Sequence, residues 1–221
     1  MRRVPYHACQ PIIISGPSGV GKGTLTTKLR ETHPDKFATV VSHTTRPPRP
    51  DEIEGTHYYF TSKSDFQALY AQGMFVECTD YNGHYYGTSL QAIQDVIDRE
   101  MTPLLDIDME GVKAMKTFKK QSVKYVFVQP PSLVALETRL RGRETEDEES
   151  IKSRLAQAVL ELEYAARPGI YDLTIVNDDL ETAYQTLEKF ALSTEPLPPK
   201  EKSLRNKVET LFEEIRLRWV H

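Results

Sequence analysis

The sequence predicts an α/β fold in which helices cover both faces of a parallel sheet. Short apolar segments, several of them β-branched, recur as predicted buried strands: PIIIS (11 to 15), TPLLDID (102 to 108), KYVFVQP (124 to 130) and DLTIVND (172 to 178). Each is followed by a segment of helical composition and period, the first from Lys22 to about Glu31. Strands that alternate with helices indicate a parallel sheet, because each helix returns the chain to the edge where the next strand starts.

The first predicted strand leads into GPSGVGKGTL (16 to 25), a glycine-rich turn that opens the first helix. Backbone N–H groups of such a turn converge on one point, and the positive end of the helix dipole reinforces them. A polyphosphate is the ligand that fits, and Lys22 is placed to reach its outer phosphates. The loop therefore predicts a core of the P-loop NTPase type, and the alternative is a glycine-rich turn without function.

Gly23 stands where phosphate loops of this pattern carry a Ser or Thr that contacts nucleotide-bound magnesium. Phosphate binding should survive, because glycine keeps the backbone N–H that the cradle uses. The magnesium loses a direct hydroxyl ligand, and ordered water next to Gly23 is expected to fill the position. Thr24 lies about 100° further round the helix and is not expected to take over.

A small, partly antiparallel insert is predicted at about residues 38 to 88. Its flanks, 38 to 60 and 74 to 88, are rich in Thr, Tyr, Val and Phe, and Asn82-Gly83 signals a tight hairpin turn. Prolines between Arg46 and Arg49 hold that segment extended, so both guanidiniums can face one anion; solvated surface arginines are the alternative. Glu77 falls in a strand pattern, where an outward-facing charge is the plainer interpretation.

The rest of the chain predicts a charged helical hairpin and a C-terminal extension. Residues 133 to 167 indicate two helices joined near Gly142, which could simply be a surface hairpin. STEPLPPKE (193 to 201) predicts a short linker. An apolar stripe at helical spacing then follows, made by Leu204, Val208, Leu211, Phe212, Ile215 and Trp219. We expect this helix to pack on its own domain in a monomer, and a dimer through it is the alternative.

Composition excludes some function classes. The net charge of -4 provides no global cationic field to hold nucleic acid or an anionic membrane. No apolar run approaches the roughly 20 residues of a membrane span, and the start of the chain lacks the apolar region of a secretory signal. Cys9 and Cys78 have no metal-ligand spacing and are expected to be reduced thiols. A cytoplasmic location is expected.

Six motifs in order resemble those of the guanylate kinase family. They are GPSGVGKGTL, the run SHTTRPPR with GTHYYF, the hairpin end YYGT, LDIDMEG, RLRGRETE and IVNDDL. The resemblance covers roughly residues 10 to 192. It implies a guanylate kinase domain at 1-192, with a GMP-binding insert at about 38-88 and a lid at about 136-168, followed by the linker and amphipathic helix at 193-221.

The resemblance assigns residues to an acceptor site for GMP. By matching position, the phosphate of GMP is held by Arg46, Arg49, Tyr58 and Tyr86, and the guanine is surrounded by Ser42, Glu77, Thr88 and Asp106. The residue types agree, because guanine offers donors at N1 and N2 that one carboxylate can accept together, while its O6 accepts from a hydroxyl. Adenine would set an unprotonated ring nitrogen against the same carboxylate.

The resemblance also assigns a donor site for ATP. Its residues are Gly16, Ser18, Gly19, Val20, Gly21, Lys22, Gly23, Thr24, Arg139 and Asn177, the last near the adenine. Arg139, Arg143 and Arg154 match lid arginines that close over the phosphates, so the catalytic set is Lys22, Arg46, Arg139, Arg143 and Arg154. Asp106 and Asp108 end a predicted strand at the edge where α/β folds bind ligands. Asp108 is the expected magnesium contact, through water, and capping of the next helix is its alternative role.

The implied activity is direct in-line transfer from ATP to GMP, and also to dGMP, with Mg²⁺ as the cofactor. The rival from another class is a non-catalytic guanylate-kinase-like scaffold module that binds phosphopeptides. Such modules typically lack an intact phosphate loop, whereas Gly16, Gly21 and Lys22 are all present here. A kinase for another nucleoside monophosphate is disfavoured by Glu77.

Overall fold

A computed structural model describes residues 9 to 81, 83 to 117, 123 to 142 and 147 to 193 of the 221-residue chain. The predicted linker from 194 onward, the amphipathic C-terminal helix and Arg143 lie outside these ranges. The strands are β1 Ile12–Ser15, β2 Phe37–Thr39, β3 His43–Thr44, β4 Tyr59–Phe60, β5 Phe75–Tyr81, β6 His84–Ser89, β7 Thr102–Asp106, β8 Lys124–Gln129 and β9 Leu173–Val176. The helices are α1 Lys22–Thr32, α2 Lys63–Ala71, α3 Leu90–Asp98, α4 Met109–Thr117, α5 Leu133–Arg141, α6 Glu148–Ala165 and α7 Leu180–Leu192.

The predicted α/β fold is confirmed. Five strands form one sheet in the order β2-β7-β1-β8-β9, and the β2-β7 and β8-β9 pairs are parallel. All four segments predicted to be buried strands are strands of this sheet. Sequence patterning missed β2, because the three residues Phe37–Thr39 form a strand too short for periodicity to reveal. Ala38 and Thr39 fall within the predicted bounds of the insert, whereas they pair with β7.

Two compact units divide the chain. The described residues of the first lie within Met1–Ile13 and Arg30–Val123, and they include a second sheet of four strands in the order β4-β3-β6-β5. This sheet is mixed, because β3 pairs with β4 in parallel and with β6 antiparallel. A stack of Phe66 on Phe75 and on Tyr85, with ring centroids 4.4 and 5.5 Å apart, fixes α2 against it. The predicted hairpin is confirmed by the pairing of Tyr81 with His84.

The second unit comprises Ile14–Leu29 and Lys124–His221. Its described part contains the glycine-rich loop, β8, β9 and helices α5 to α7, around a fully buried apolar set of Leu25, Phe127, Leu136, Leu140 and Leu187. The predicted first helix and the two helices on either side of Gly142 are present. Lys124 is buried at the start of β8, and its Nζ donates to carbonyls of Phe190 and Ser193, which caps the end of α7.

Several helices begin at a residue whose side chain accepts a backbone N–H three positions on, which satisfies one of the orphan donors of the first turn. These N-caps are Ser62, Ser89, Ser132, Asp147 and Asp179. Cys9 and Cys78 are free thiols, as expected. Within the described residues, every helix is too short or too polar to span a bilayer.

Candidate active site

The glycine-rich loop joins the end of β1 to the start of α1 and needs glycine at two positions for steric reasons. Gly16 has φ +147°, and a Cβ there would lie 2.1 Å from the carbonyl oxygen of Val128. Gly21 has φ +100°, and its Cβ would lie 2.4 Å from Nδ2 of Asn177. L-residues rarely adopt such φ values, and neither site has room for a methyl group. These glycines therefore set the path of the loop.

Lys22 lies folded along the loop. Its Nζ donates to the carbonyl oxygens of Gly16 at 2.7 Å and Pro17 at 3.3 Å. A bound phosphate would offer this ammonium charged oxygens in place of the carbonyl oxygens. Hydrogen bonds to charged oxygens are stronger than those to carbonyls. Gly23 is exposed, and a Cβ there would meet no atom within 4 Å. The helix at Gly23 is thus open on the side where other phosphate loops place a hydroxyl.

Side chains from segments distant in sequence donate hydrogen bonds to the phosphate loop. Asn177 is 6% exposed, and its Nδ2 donates to the carbonyl oxygen of Val20 at 2.7 Å. Arg139 donates to the backbone carbonyl of Asn177 at 2.8 Å and to that of Val20 at 3.4 Å. Arg154 donates through Nη1 to Oγ of Ser18. Two arginines expected to act on ATP phosphates therefore already contact the loop that would bind them, and the Asn177 amide is engaged by the loop.

Three of the four residues predicted to surround the guanine, Ser42, Glu77 and Thr88, meet in the first unit. Oγ1 of Thr88 donates to Oε1 of Glu77 at 2.6 Å, and Oγ of Ser42 lies 3.1 Å from Oγ1 of Thr88. A register shift between Phe75 and Glu77 makes this possible, since Phe75 pairs with Ser89 and Glu77 with Thr88. Because of this bulge, Phe75 and Glu77 lie on opposite faces of the sheet although they are two positions apart. Phe75 therefore packs against Phe66, while Glu77 meets Thr88.

The environment of Glu77 raises its pKa. Burial is the main cause and raises the pKa of this carboxyl to about 7; the charge of Asp108 raises it further, and the hydrogen bond from Thr88 opposes both. Helix α4 approaches closely at Gly111, where a Cβ would lie 3.4 Å from Cγ of Glu77. A half-buried carboxylate beside hydroxyls can accept hydrogen bonds from a nucleobase with adjacent N–H donors. Those hydrogen bonds would favour the charged form of Glu77.

The predicted phosphate-binding residues form a second cluster on the same sheet. The guanidinium of Arg46 lies 5.6 Å from the ring centroid of Tyr58, and the rings of Tyr58 and Tyr86 are 5.9 Å apart. Tyr86 and Thr88 are two residues apart on β6 and therefore lie on one face, which links the two clusters. Arg49 is exposed beside them. Glu52, which no sequence motif singled out, accepts from Nη2 of Arg46 at 2.7 and 2.8 Å.

The carboxylates after β7 fit a partial magnesium shell. Asp106 and Asp108 are both exposed, and Oδ1 of Asp108 accepts the backbone N–H of Gly111 at 2.8 Å, so Asp108 caps α4. Among the residues described, no group of three or more His, Cys, Asp or Glu side chains is placed to hold a metal ion. Mg²⁺ keeps several waters and uses one or two carboxylates with substrate phosphates. One exposed carboxylate oxygen of Asp108 suits that mode.

Comparison with known proteins assigns the chain to a family. The model of the family described as "Guanylate kinase" matches residues 8–194. This chain belongs to the guanylate kinase family. It is similar to a guanylate kinase of Schizosaccharomyces pombe, with 47% identity over 83% of this chain and 91% of the relative. It is also 47% identical to guanylate kinase 1 of Oryza sativa subsp. japonica, over 81% of this chain, but it spans only 47% of that relative.

Among solved structures, a guanylate kinase from Anaplasma phagocytophilum superposes with a TM-score of 0.65 and 27% sequence identity, covering 93% of this chain and 96% of that one. The guanylate kinase resemblance noted from six motifs is thereby confirmed at the level of the family and of the fold.

Proposed function

We propose that the chain catalyses the reaction ATP + GMP ⇌ ADP + GDP by direct in-line phosphoryl transfer, without a phosphoenzyme. The observation that carries this proposal is an intact phosphate loop in a member of the guanylate kinase family. The glycines at 16 and 21 have the conformation that the loop requires, and Lys22 already lies along it. Phosphoryl transfer needs little covalent help from protein, so positioning and cancellation of charge carry the catalysis.

On the donor side, the loop N–H groups and Lys22 bind the phosphates of ATP. Arg139 and Arg154 add positive charge from α5 and α6, which together would act as a lid. Arg143, outside the described residues, belongs to the same proposed set. Closing these arginines over ATP only when GMP is present would exclude water that could otherwise hydrolyse ATP.

On the acceptor side, Glu77 accepts from N1 and N2 of guanine while Ser42 and Thr88 offer hydroxyls, with Asp106 at the border of the base pocket. Arg46, Arg49, Tyr58 and Tyr86 hold the phosphate of GMP. The residues proposed for GMP are assigned to its base and phosphate and none to its sugar, so dGMP should also be a substrate.

Mg²⁺ is the cofactor in this proposal, and when bound it neutralises charge on the phosphate oxygens of ATP. Asp108 would hold one of its waters through the carboxylate oxygen that does not cap α4. Gly23 supplies no ligand, so water takes the position of the usual hydroxyl.

The rival is a non-catalytic scaffold module that uses the second site for phosphopeptides. The intact loop favours the enzyme, because a scaffold has no use for an ATP cradle supported by Asn177 and Arg139. The same proposal includes the partners and the location of the protein. It acts on small molecules as a cytoplasmic monomer, and it binds neither nucleic acid nor membrane. A dimer through the C-terminal helix remains its alternative and would be seen in the mass of the full chain in solution.

A coupled assay of ADP release tests the function directly. ATP and Mg²⁺ are supplied with GMP, dGMP, AMP, UMP or TMP in turn. Turnover with GMP and dGMP, and little with the others, is expected. No turnover with GMP would overturn the proposed activity.

A further inference from the structure

A carboxylate outside the assigned GMP residues lies at the centre of the phosphate-binding cluster. Both oxygens of Glu52 accept from Nη2 of Arg46, at 2.7 and 2.8 Å. The two side chains are only 14% and 15% exposed, so this pair is shielded, unlike most surface ion pairs. An ion pair of this kind restricts the rotamers of a long arginine side chain.

Glu52 also fixes the backbone that carries the second arginine. Its Oε2 accepts the backbone N–H of Arg49 at 2.8 Å, and its own N–H donates to the carbonyl of Arg49 at 3.0 Å. One side chain thus ties Arg46 and Arg49 into a single arrangement. The hydrogen bond from Arg46, and next that from the Arg49 backbone, hold the pKa of Glu52 at about 2, so the carboxylate stays ionised at any pH where the enzyme would work.

The guanidinium keeps capacity for a further anion. Nη2 is directed to Glu52 and Nη1 donates to the carbonyl of Pro47 at 2.7 Å. Tyr86 is a further hydrogen-bond partner of the Arg46 side chain. An arginine carries more N–H donors than these three partners use, arranged as a rigid planar fork. Arg46 can therefore hold Glu52 and a phosphate oxygen at once, and Glu52 need not leave when substrate binds.

We propose that Glu52 is a positioning residue for the phosphate of GMP, holding Arg46 and the Arg49 backbone in the geometry that grips the acceptor. The inference rests on the proposed function. It opposes a second interpretation of the same contact, in which the carboxylate competes with phosphate for Arg46 and weakens substrate binding.

Replacing Glu52 tests which interpretation holds. In Glu52→Gln the amide keeps the shape but loses the charge, and its N–H₂ group cannot accept from Arg46. We expect KM for GMP to rise about tenfold, the loss typical of a charge-assisted hydrogen bond, with KM for ATP unchanged. Glu52→Asp keeps the charge on a shorter stem and should fall between wild type and Glu52→Gln. Asp51→Asn, an exposed neighbour that loses the same charge, is the matched control and should resemble wild type.

A double-mutant cycle separates positioning from a general structural role. If Glu52 acts mainly through the charge it presents to Arg46, then Glu52→Gln in an Arg46→Met background should change KM for GMP by less than about twofold, because the remaining amide oxygen can still accept the backbone N–H of Arg49. Independent, additive effects would overturn the proposal. So would a KM for GMP that falls or stays constant in Glu52→Gln alone, or a KM for ATP that rises equally.

Calorimetric titration with GMP, without ATP, keeps this test apart from the test of activity. A wild-type chain that binds GMP without phosphorylating it would defeat the proposed function, yet the loss of GMP affinity in Glu52→Gln would still be expected. If wild type binds no GMP, both proposals fail. The melting temperature of each variant shows whether it is folded.

Discussion

The phosphate loop and the GMP insert are built on different principles. In the loop, the proposed ligand-binding groups are backbone N–H groups, and side chains such as Asn177 hold the backbone in place. In the insert, the proposed ligand-binding groups are side chains, and Glu77, Thr88 and Ser42 are linked to one another by hydrogen bonds. A backbone site tolerates changes in side chains that leave its path intact, as Gly23 illustrates, whereas a side-chain site depends on each functional group.

The strongest challenge to the backbone site is Gly21→Ala. The new Cβ would lie 2.4 Å from Nδ2 of Asn177 and force a positive φ on alanine, which costs about 1 to 3 kcal/mol before the clash is counted. We expect kcat/KM for ATP to fall at least about 100-fold. Gly23→Ala makes the same chemical change two residues on, where no atom lies within 4 Å, and is the control for stability. Equal melting temperatures and equal ATP kinetics for both variants would contradict the role of Gly21.

The corresponding change in the side-chain site is Glu77→Gln. The amide cannot accept from N1 and N2 of guanine together, and a loss of about 2 kcal/mol would lower kcat/KM for GMP roughly thirtyfold. ATP affinity, measured by titration calorimetry, should be unchanged because the loop does not depend on Glu77. A similar loss for both nucleotides would count against base reading by this residue.

The pH dependence of GMP use sharpens the same contrast. Because burial raises the pKa of Glu77 to about 7, the carboxyl group proposed to accept from guanine is mostly protonated at pH 6. We expect kcat/KM for GMP to fall about tenfold between pH 8 and pH 6. The phosphate of GMP also titrates near pH 6 by analogy with other phosphate monoesters, so Glu77→Gln, which lacks this carboxyl, separates the two effects. An identical pH profile in that variant would assign the whole change to the substrate.

Stability should show the opposite trend with pH. A carboxyl whose pKa is higher in the folded than in the unfolded chain makes folding bind protons. Its contribution to the free energy of unfolding is fully present below its ordinary pKa of 4.5 and is lost as the pH rises through about 7. Between pH 5 and pH 8, the free energy of unfolding measured with denaturant should therefore decrease more for wild type than for Glu77→Gln.

The smallest expected effect comes from restoring the hydroxyl of the phosphate loop. Gly23→Ser has open space around the new side chain, and its oxygen could replace one water on magnesium. The Mg²⁺ concentration for half-maximal rate should fall, because one protein ligand replaces one water, and KM for GMP should be unchanged. A Mg²⁺ titration identical to wild type would show that this position does not influence the metal.

Sequence predicted features that depend on neighbours along the chain. The phosphate loop, the helix after it, the cap at Asp108 and the hairpin at Gly83 follow from local residue types, and the structure has all of them. Strand β2 escaped prediction because three residues carry too little pattern. Glu52 escaped it too, since an acidic residue after RPPRPD is ordinary for a surface loop until its contact with Arg46 is seen.

The sequence by itself determined the fold class, the family and the chemical types gathered at each site, because glycine conformations, apolar strands and ordered motifs are written in short stretches of residues. Tertiary structure decided how those groups act. It turned Glu77 towards Thr88 through a bulge, placed Asn177 against the Val20 carbonyl and paired Arg46 with Glu52. Those outcomes depend on strand register and on packing between segments up to 157 positions apart. Local residue preferences do not encode such distances, so only the folded chain resolves them.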